Sequence, residues 1–147
     1  MAIMDWSGQL GGMRATVVGA AREGTALARF LALCGAQVTL SDGKSADQVA
    51  QHLAKLGEVP VRLALGPNQP DDLLAVDVLF VSPGVPPSAP VVQRARAQGL
   101  PISSETRLFT QLCSQHYRAP LVGITGSSGK STTTALTGEM YRAAGRR

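Results

Sequence analysis

The stretch Ala15-Thr16-Val17-Val18-Gly19-Ala20-Ala21-Arg22-Glu23-Gly24 decides the fold, because a short apolar run passes directly into a glycine turn. Ala15–Val18 has the length and residue types of a buried strand. Gly24–Leu33 has the apolar spacing of a helix, and Gly35 is a natural place for that helix to stop. A strand, a turn and a helix in this order are typical of the first unit of a parallel sheet.

The same alternation continues along the chain. The further strands that we predict are Gln37–Leu40, Val61–Leu65, Val78–Val81 and a short one around Pro101–Ser103. The helices between them run from Ser45 to about Leu56, over Pro90–Gln98, and from about Ser104 to Ser114. The sequence therefore predicts an α/β protein in which helices cover both faces of a parallel sheet.

The turn Gly19–Gly24 is a candidate phosphate-binding loop. It follows the spacing of a dinucleotide-binding fingerprint, except that Ala21 stands at the middle glycine position. Asp42 follows the second strand, where an acid binds the ribose hydroxyls in NAD-binding domains. Three interpretations stay open: an NAD site, a site for another phosphate-containing ligand, or a tight turn that only packs the helix on the strand.

Another candidate binding loop, Ser82-Pro83-Gly84, follows the fourth strand. Ser82 offers a hydroxyl group, and Gly84 lets the backbone approach a ligand closely. The Pro-Gly pair is also found in ordinary turns. Because the carboxyl ends of parallel strands meet at one edge of the sheet, we expect these loops to converge there with the Gly19 turn and Asp42.

A second glycine loop, Gly126-Ser127-Ser128-Gly129-Lys130-Ser131-Thr132, lies near the end of the chain. The apolar run Leu121–Thr125 before it predicts a strand, and the good helix formers from Ala135 onward predict a helix after it. Such a loop turns backbone N–H groups toward phosphates, Lys130 can reach the outer phosphates, and the Ser131 hydroxyl can coordinate Mg²⁺. The alternative is a glycine turn with an incidental lysine. Before this loop, Ser114–Pro120 is polar and predicts a linker between two units, residues 1–118 and 119–147.

The composition excludes several classes of protein. Apolar residues make up 44% of the chain and charged residues 16%, which is enough apolar side chain for a core and too little charge for a disordered protein. The basic residues behind the net charge of +4 are scattered, so we expect no nucleic-acid partner. Without a long apolar run or a secretory signal, we expect a cytoplasmic protein with no membrane association. We also expect the protein to be a monomer. His52 and His116 lack partners at metal-ligand spacing and are predicted to lie on the surface.

Together these motifs resemble those of the Mur ligase family. The resemblance rests on a Rossmann-like first domain with its Ser-Pro-Gly loop, and on three segments: Ser104-Glu105-Thr106-Arg107-Leu108-Phe109, Ala119-Pro120-Leu121-Val122-Gly123-Ile124-Thr125-Gly126, and Gly129-Lys130-Ser131-Thr132-Thr133-Thr134. It implies that residues 1–118 bind a UDP-sugar substrate and that residues 119–147 begin a truncated central ATP-binding domain. The resemblance is strongest to the branch that adds D-glutamate to UDP-N-acetylmuramoyl-L-alanine through an acyl phosphate in peptidoglycan synthesis.

The resemblance also implies a role for each loop. The first glycine turn, with Gly19, Arg22, Glu23 and Gly24, would lie near the pyrophosphate of the substrate. Asp42 and Gly43 would lie near the uracil, and Ser82, Pro83 and Gly84 would close over the uridine diphosphate. The residues implied to bind ATP are Gly126, Ser127, Ser128, Gly129, Lys130, Ser131 and Thr132. Among these, Lys130 would be the catalytic residue on the phosphates, and Ser131 would hold Mg²⁺.

Two features depart from the family's usual pattern. Ser127-Ser128 stands where the family usually has Thr-Asn before Gly-Lys. Gly43-Lys44 stands where this branch usually has Thr-Arg. Because the usual arginine is missing there, Lys44 is expected to supply the positive charge. From the length we expect an N-terminal fragment that does not catalyse ligation by itself. The alternatives that stay open are another branch of the family, an NAD-type dinucleotide-binding domain, and a stand-alone UDP-sugar binding module.

Overall fold

The computed structural model describes residue 8 and residues 10–67, 70–117 and 121–146. It contains a five-stranded sheet in which every pairing is parallel, with the strand order β3-β2-β1-β4-β5. The strands are β1 Arg14–Val18, β2 Gln37–Asp42, β3 Val61–Leu65, β4 Val78–Val81 and β5 Ile102–Ser103. The α-helices are α1 Arg22–Leu33, α2 Ala46–Leu53, α3 Pro90–Ala97, α4 Glu105–Leu112 and α5 Lys130–Ala143. A 3₁₀ turn over Asp71–Leu74 precedes β4, and a π-helical turn over Cys113–Tyr117 follows α4.

The centre of the sheet forms because β1 and β4 consist almost entirely of β-branched and other apolar residues. In the register of the sheet, Val17 lies opposite Leu40 on one side and Phe80 on the other, and all three side chains are fully buried. Strands buried on both faces have no polar alternation, so the burial of every residue from Ala15 to Val18 is what a central parallel strand requires.

Two apolar clusters hold the helices on opposite faces of the sheet. One cluster joins Val17 and Phe80 to Leu27 and Leu31 of α1, and Val49 of α2 and Leu108 of α4 belong to it as well. The other cluster contains Val18 and Leu79 with Ala95 of α3. Thr16 faces this second side, where its hydroxyl donates a hydrogen bond of 2.7 Å to the carbonyl of Leu73 in the 3₁₀ turn. The predicted α/β fold, with helices on both faces of a parallel sheet, is therefore confirmed.

The order of the strands creates one switch point. The chain runs outward from β1 through β2 to β3 and then returns to the other side of β1 to form β4 and β5. The loops that leave β1 and β4 consequently start side by side at the carboxyl edge and lead to opposite faces of the sheet. Crevices at such points are where open parallel sheets bind their ligands.

The predicted element bounds hold within a few residues in this domain, with two differences. Strand β2 continues through Ser41 to Asp42, because both residues pair with Ala64 and Leu65 of β3. In the first part of the predicted linker Ser114–Pro120, the chain continues from α4 into the π-helical turn that ends at Tyr117, and the linker role itself stays a prediction. Residues 118–120, which include the predicted boundary between the two units, lie outside the described residues.

The segment 121–146 differs more from the prediction. The expected strand Leu121–Thr125 is wrong, since residues 121–125 belong to none of the strands that the structure describes. A strand needs a neighbouring strand for its N–H and C=O groups, and here Leu121 and Val122 are 44% and 75% exposed. The following helix α5 begins at Lys130, before Ala135, and contains no buried residue.

Candidate functional site

A cleft of about 640 Å³ opens at the carboxyl edge of the sheet, at the switch point between β1 and β4. Loops from β1, β2 and β4 form its walls, as the sequence predicted. The predicted substrate residues that line it are Gly19, Arg22, Glu23, Asp42, Ser82, Pro83 and Gly84. Gly43 lines a neighbouring cleft of about 630 Å³ that shares Gly19 and Asp42 with the first. Gly24 is buried beneath the turn.

The Gly19 turn and the Ser82 loop are packed so closely that side chains at the two glycines would not fit. A Cβ atom on Gly19 would lie 2.8 Å from the Cβ of Ser82, and Gly19 also has a φ of +102°. A Cβ atom on Gly24 would overlap the carbonyl oxygen of Gly19 and lie 2.7 Å from the Ser82 hydroxyl oxygen. The Ser82 hydroxyl donates a hydrogen bond of 3.2 Å to the Gly19 carbonyl. These contacts hold the two loops together as one rigid wall.

Asp42 ties the loop after β1 to the turn after β2. One carboxylate oxygen of Asp42 accepts a hydrogen bond of 2.7 Å from the backbone N–H of Ala20, and the other accepts one of 2.9 Å from the backbone N–H of Lys44. The backbone carbonyl of Asp42 also accepts a hydrogen bond from the N–H of Gly66. Asp42 therefore has a structural role at the edge of the cleft, because its side chain and its backbone fix two turns in place.

The N-terminus of α1 and two cationic side chains offer positions for an anion in this cleft, beside the carboxylates of Glu23 and Asp42. Helix α1 points its N-terminus at the cleft, and its N-cap is Ala21, which has no side-chain acceptor for the free N–H groups of the first turn. By contrast, the Ser104 hydroxyl at the N-cap of α4 accepts a hydrogen bond from the N–H of Arg107. Arg22 and Lys44 bring cationic side chains to the cleft, and the Arg22 guanidinium lies 3.8 Å from the Glu23 carboxylate with the Arg22 side chain 81% exposed. The cleft can therefore hold a phosphate group at the helix N-terminus.

Sequence reasoning missed one polar residue of the cleft. His52 was expected to be a surface residue, but it is only partly exposed and lines the cleft from α2. Helical spacing carried a signal for this position, because Val49 is the buried residue of α2 and His52 follows it by three positions. Among the described residues, no group of three or more His, Cys, Asp and Glu side chains could hold a metal ion.

The loop over residues 126–132 is an exposed turn that leads into α5. Gly129 is the N-cap of the helix, and Lys130 begins it, with Ser131 and Thr132 in its first turn. The ammonium group of Lys130 folds back over the turn and donates a hydrogen bond of 2.6 Å to the carbonyl oxygen of Gly126. The lysine, the helix N-terminus and the Ser131 hydroxyl are therefore close together in the chain and reachable from solvent, as the chemistry of a phosphate loop requires.

No helix in the described ranges has both the length and the hydropathy to cross a membrane.

A second, mostly apolar groove of about 600 Å³ lies between α1 and α4 and shares Glu23 with the cleft. Phe30, Leu108 and Phe109 contribute to its walls, and Glu23 and Glu105 lie on it as well. Burial raises the pKa of the Glu105 carboxyl, and the charge of Glu23 raises this pKa further, whereas Arg22 lowers it. Glu105 therefore carries its negative charge against a cost in the folded chain.

The strand order and the loops at its switch point define an open parallel α/β domain with a ligand cleft at its carboxyl edge. Residues 13–104 match the family described as Mur ligase MurD-like, N-terminal domain. The chain belongs to this family, as the sequence motifs indicated.

Two relatives illustrate the similarity. The chain is 42% identical over 137 residues to UDP-N-acetylmuramoylalanine–D-glutamate ligase of Geobacter metallireducens. The matched stretch is 93% of this chain and 29% of that protein. It is also 42% identical over 133 residues to the ligase of the same name from Symbiobacterium thermophilum. Here the matched stretch is 90% of this chain and 28% of that protein. The chain thus spans less than a third of the length of the curated relatives it matches.

Solved structures give the same fold. UDP-N-acetylmuramate-alanine ligase MurC from Thermotoga maritima superposes with a TM-score of 0.56 at 26% identity, covering 88% of this chain and 29% of that one. A murein peptide ligase from Psychrobacter arcticus superposes with a TM-score of 0.53 at 23% identity, covering 91% of this chain and 27% of that one. The second similarity concerns the fold alone.

Proposed function

We propose that this chain is the N-terminal part of an ATP-dependent ligase that adds D-glutamate to UDP-N-acetylmuramoyl-L-alanine in peptidoglycan synthesis. The observation that carries the proposal is the convergence of three loops on one cleft at the switch point, in a chain 42% identical to ligases of that name. We assign the part over residues 1–118 to binding the UDP-sugar and the part from residue 119 to the ATP-binding unit.

In the proposed complex, the diphosphate lies at the N-terminus of α1. The first turn of α1 has backbone N–H groups without a side-chain cap, and Arg22 and Lys44 lie on the same cleft. The uridine then extends over the turn after β2, beside Asp42 and Gly43, and under the Ser82-Pro83-Gly84 loop. Lys44 supplies the charge that an arginine has in other members of this branch.

The loop over residues 126–132 is proposed to hold the phosphates of ATP together with Mg²⁺. The residues present fit this role, because a phosphate oxygen can replace the Gly126 carbonyl as the hydrogen-bond acceptor of Lys130. Ser131 would coordinate Mg²⁺, and Gly126, Ser127, Ser128, Gly129 and Thr132 would surround the phosphates. Lys130 would stabilise negative charge on the γ-phosphoryl group of ATP as the substrate carboxylate attacks it and ADP leaves, which gives an acyl phosphate. The amine of D-glutamate would then attack the acyl carbon and release inorganic phosphate, and Mg²⁺ held by Ser131 would supply further positive charge.

Chemical-shift mapping tests the assignment of the cleft. Addition of UDP-N-acetylmuramoyl-L-alanine to the ¹⁵N-labelled chain should shift the amide signals of Gly19, Arg22, Lys44 and Gly84, and those of α5 should stay in place. Shifts that cluster instead in the groove between α1 and α4, or shifts produced by NADH and not by the UDP-sugar, would contradict it.

The proposal assigns ligation to the longer parent protein and none to these 147 residues alone. An assay that couples ADP release to the addition of D-glutamate should therefore give no signal above the rate without D-glutamate. ADP release that depends on D-glutamate in this chain would contradict the assignment. For ATP binding itself, Lys130→Ala should weaken the binding of MgATP, and Arg146→Ala serves as a matched loss of charge outside the loop.

A further inference from the structure

His52 is the polar residue of the cleft that the roles described above leave unused. It lies in the last turn of α2 and lines the cleft together with Lys44 and Ser82. Its Nδ1 atom is inaccessible to solvent and has no hydrogen-bond partner among the described residues. Since a histidine has two ring nitrogens, a hydrogen bond from His52 to a molecule in the cleft would have to use Nε2.

The burial of Nδ1 also decides which nitrogen carries the proton of the neutral ring. A buried N–H without an acceptor is among the rarest and most costly arrangements in proteins, more so than a buried acceptor with a free lone pair. A proton on Nε2 avoids that cost, because Nε2 can donate to water or to a ligand. The ring in this environment should therefore present an N–H donor from Nε2 and keep Nδ1 unprotonated.

We propose that His52 is a ligand-binding residue of the cleft and donates a hydrogen bond from Nε2 to an acceptor oxygen of the bound nucleoside diphosphate. This inference rests on the proposed function, because it takes the UDP-sugar as the occupant of the cleft. The acceptor belongs either to the pyrimidine ring or to the diphosphate, since both groups carry oxygens with free lone pairs.

The protonation of the ring can be measured without any ligand. A long-range ¹H–¹⁵N spectrum of the unaltered chain should show the proton on Nε2 and an unprotonated Nδ1 at a pH where the ring is neutral. Addition of UDP-N-acetylmuramoyl-L-alanine should then shift the Nε2 signal more than the Nδ1 signal. A proton on Nδ1 in the free chain would overturn the inference whatever the binding data show.

Two substitutions separate the nitrogens. His52→Gln places an amide N–H near the position of Nε2, whereas His52→Asn places one near Nδ1 and leaves the Nε2 position empty. Calorimetry with UDP-N-acetylmuramoyl-L-alanine should show a loss of affinity of about threefold to tenfold for His52→Asn, the value of one neutral hydrogen bond, and a loss within about twofold for His52→Gln. Gln51→Ala, on the exposed side of the same helix, is the matched control and should bind like the unaltered chain.

The outcomes distinguish the inference from the proposed function. If the unaltered chain fails to bind the UDP-sugar, the proposed function is overturned. If it binds and His52→Asn binds equally well while remaining folded by circular dichroism, only the role of His52 is overturned. Titration with uridine and with inorganic pyrophosphate identifies the acceptor, because only the probe that carries it should shift the Nε2 signal.

Discussion

Replacing Asp42 by alanine should destabilise the domain, because the carboxylate of Asp42 is the acceptor for two backbone N–H groups in different loops. The N–H of Ala20 is the costly one to leave without a partner, since Ala20 is buried and its hydrogen bond to Asp42 is 2.7 Å long. Lys44 is exposed, so water can replace the carboxylate at its N–H.

The magnitude follows from these two environments. A hydrogen bond from a buried N–H to a charged acceptor contributes about 1.5–3 kcal/mol, and the exposed one adds little. The free energy of unfolding should therefore fall by about 2–3 kcal/mol. For a chain of this size, that loss lowers the midpoint of thermal unfolding by roughly 5–10 °C.

Urea and thermal unfolding followed by circular dichroism measure this loss. Asp42→Asn keeps one carbonyl oxygen and should lose about half as much stability as Asp42→Ala. Glu58→Ala, which removes an exposed carboxylate, is the control and should change the free energy of unfolding by less than about 0.5 kcal/mol. If Asp42→Ala unfolds at the same temperature as the Glu58 control, the argument that Asp42 joins the two loops is refuted.

Three further predictions concern other parts of the structure. Phe80→Ala, at a fully buried position in β4, should lower the free energy of unfolding by about 3–5 kcal/mol. Phe109→Ala, at a side chain that is 59% exposed, should lower it by less than about 1 kcal/mol. Similar losses for the two variants in urea unfolding would contradict the assigned core. Gly24→Ala should lower the free energy of unfolding by about 1–3 kcal/mol and weaken UDP-sugar binding, because the new methyl group displaces the Gly19 carbonyl. Unchanged stability and affinity would show that the packing of the Gly19 turn against the Ser82 loop is not rigid. Glu105→Gln should raise the midpoint of thermal unfolding at pH 7, because the raised pKa of Glu105 means that its carboxylate form is unfavourable in the folded state. The gain in the midpoint should shrink as the pH falls and Glu105 becomes protonated. A gain that persists at low pH would contradict this cause.

The sequence predicted the sheet well because its signals are local. Val17 and Val78 lie in short apolar runs bounded by turn residues, and the glycine turn after β1 fixed where the first helix begins. The loops after β1, β2 and β4 meet at one edge because the strands are parallel, and the sequence alone therefore predicted that Gly19, Asp42 and Ser82 lie close together.

The features that the sequence did not predict depend on neighbours that are distant in the chain. The hydrogen bond from Ala20 to Asp42 spans 22 positions, and no local pattern indicates that the carboxylate faces the protein backbone. The run Leu121–Thr125 has the composition of a strand, but composition does not supply a partner, and its backbone is not paired into the sheet. The position of His52 depends on how α2 packs, which a short helix with one buried residue specifies weakly.

The most direct test of the central claim is a calorimetric titration of the chain with UDP-N-acetylmuramoyl-L-alanine, with NADH as the competing ligand. The UDP-sugar should bind at one site per chain, and NADH should give no heat of binding. Binding of NADH without binding of the UDP-sugar would contradict the assignment of the cleft to a UDP-sugar.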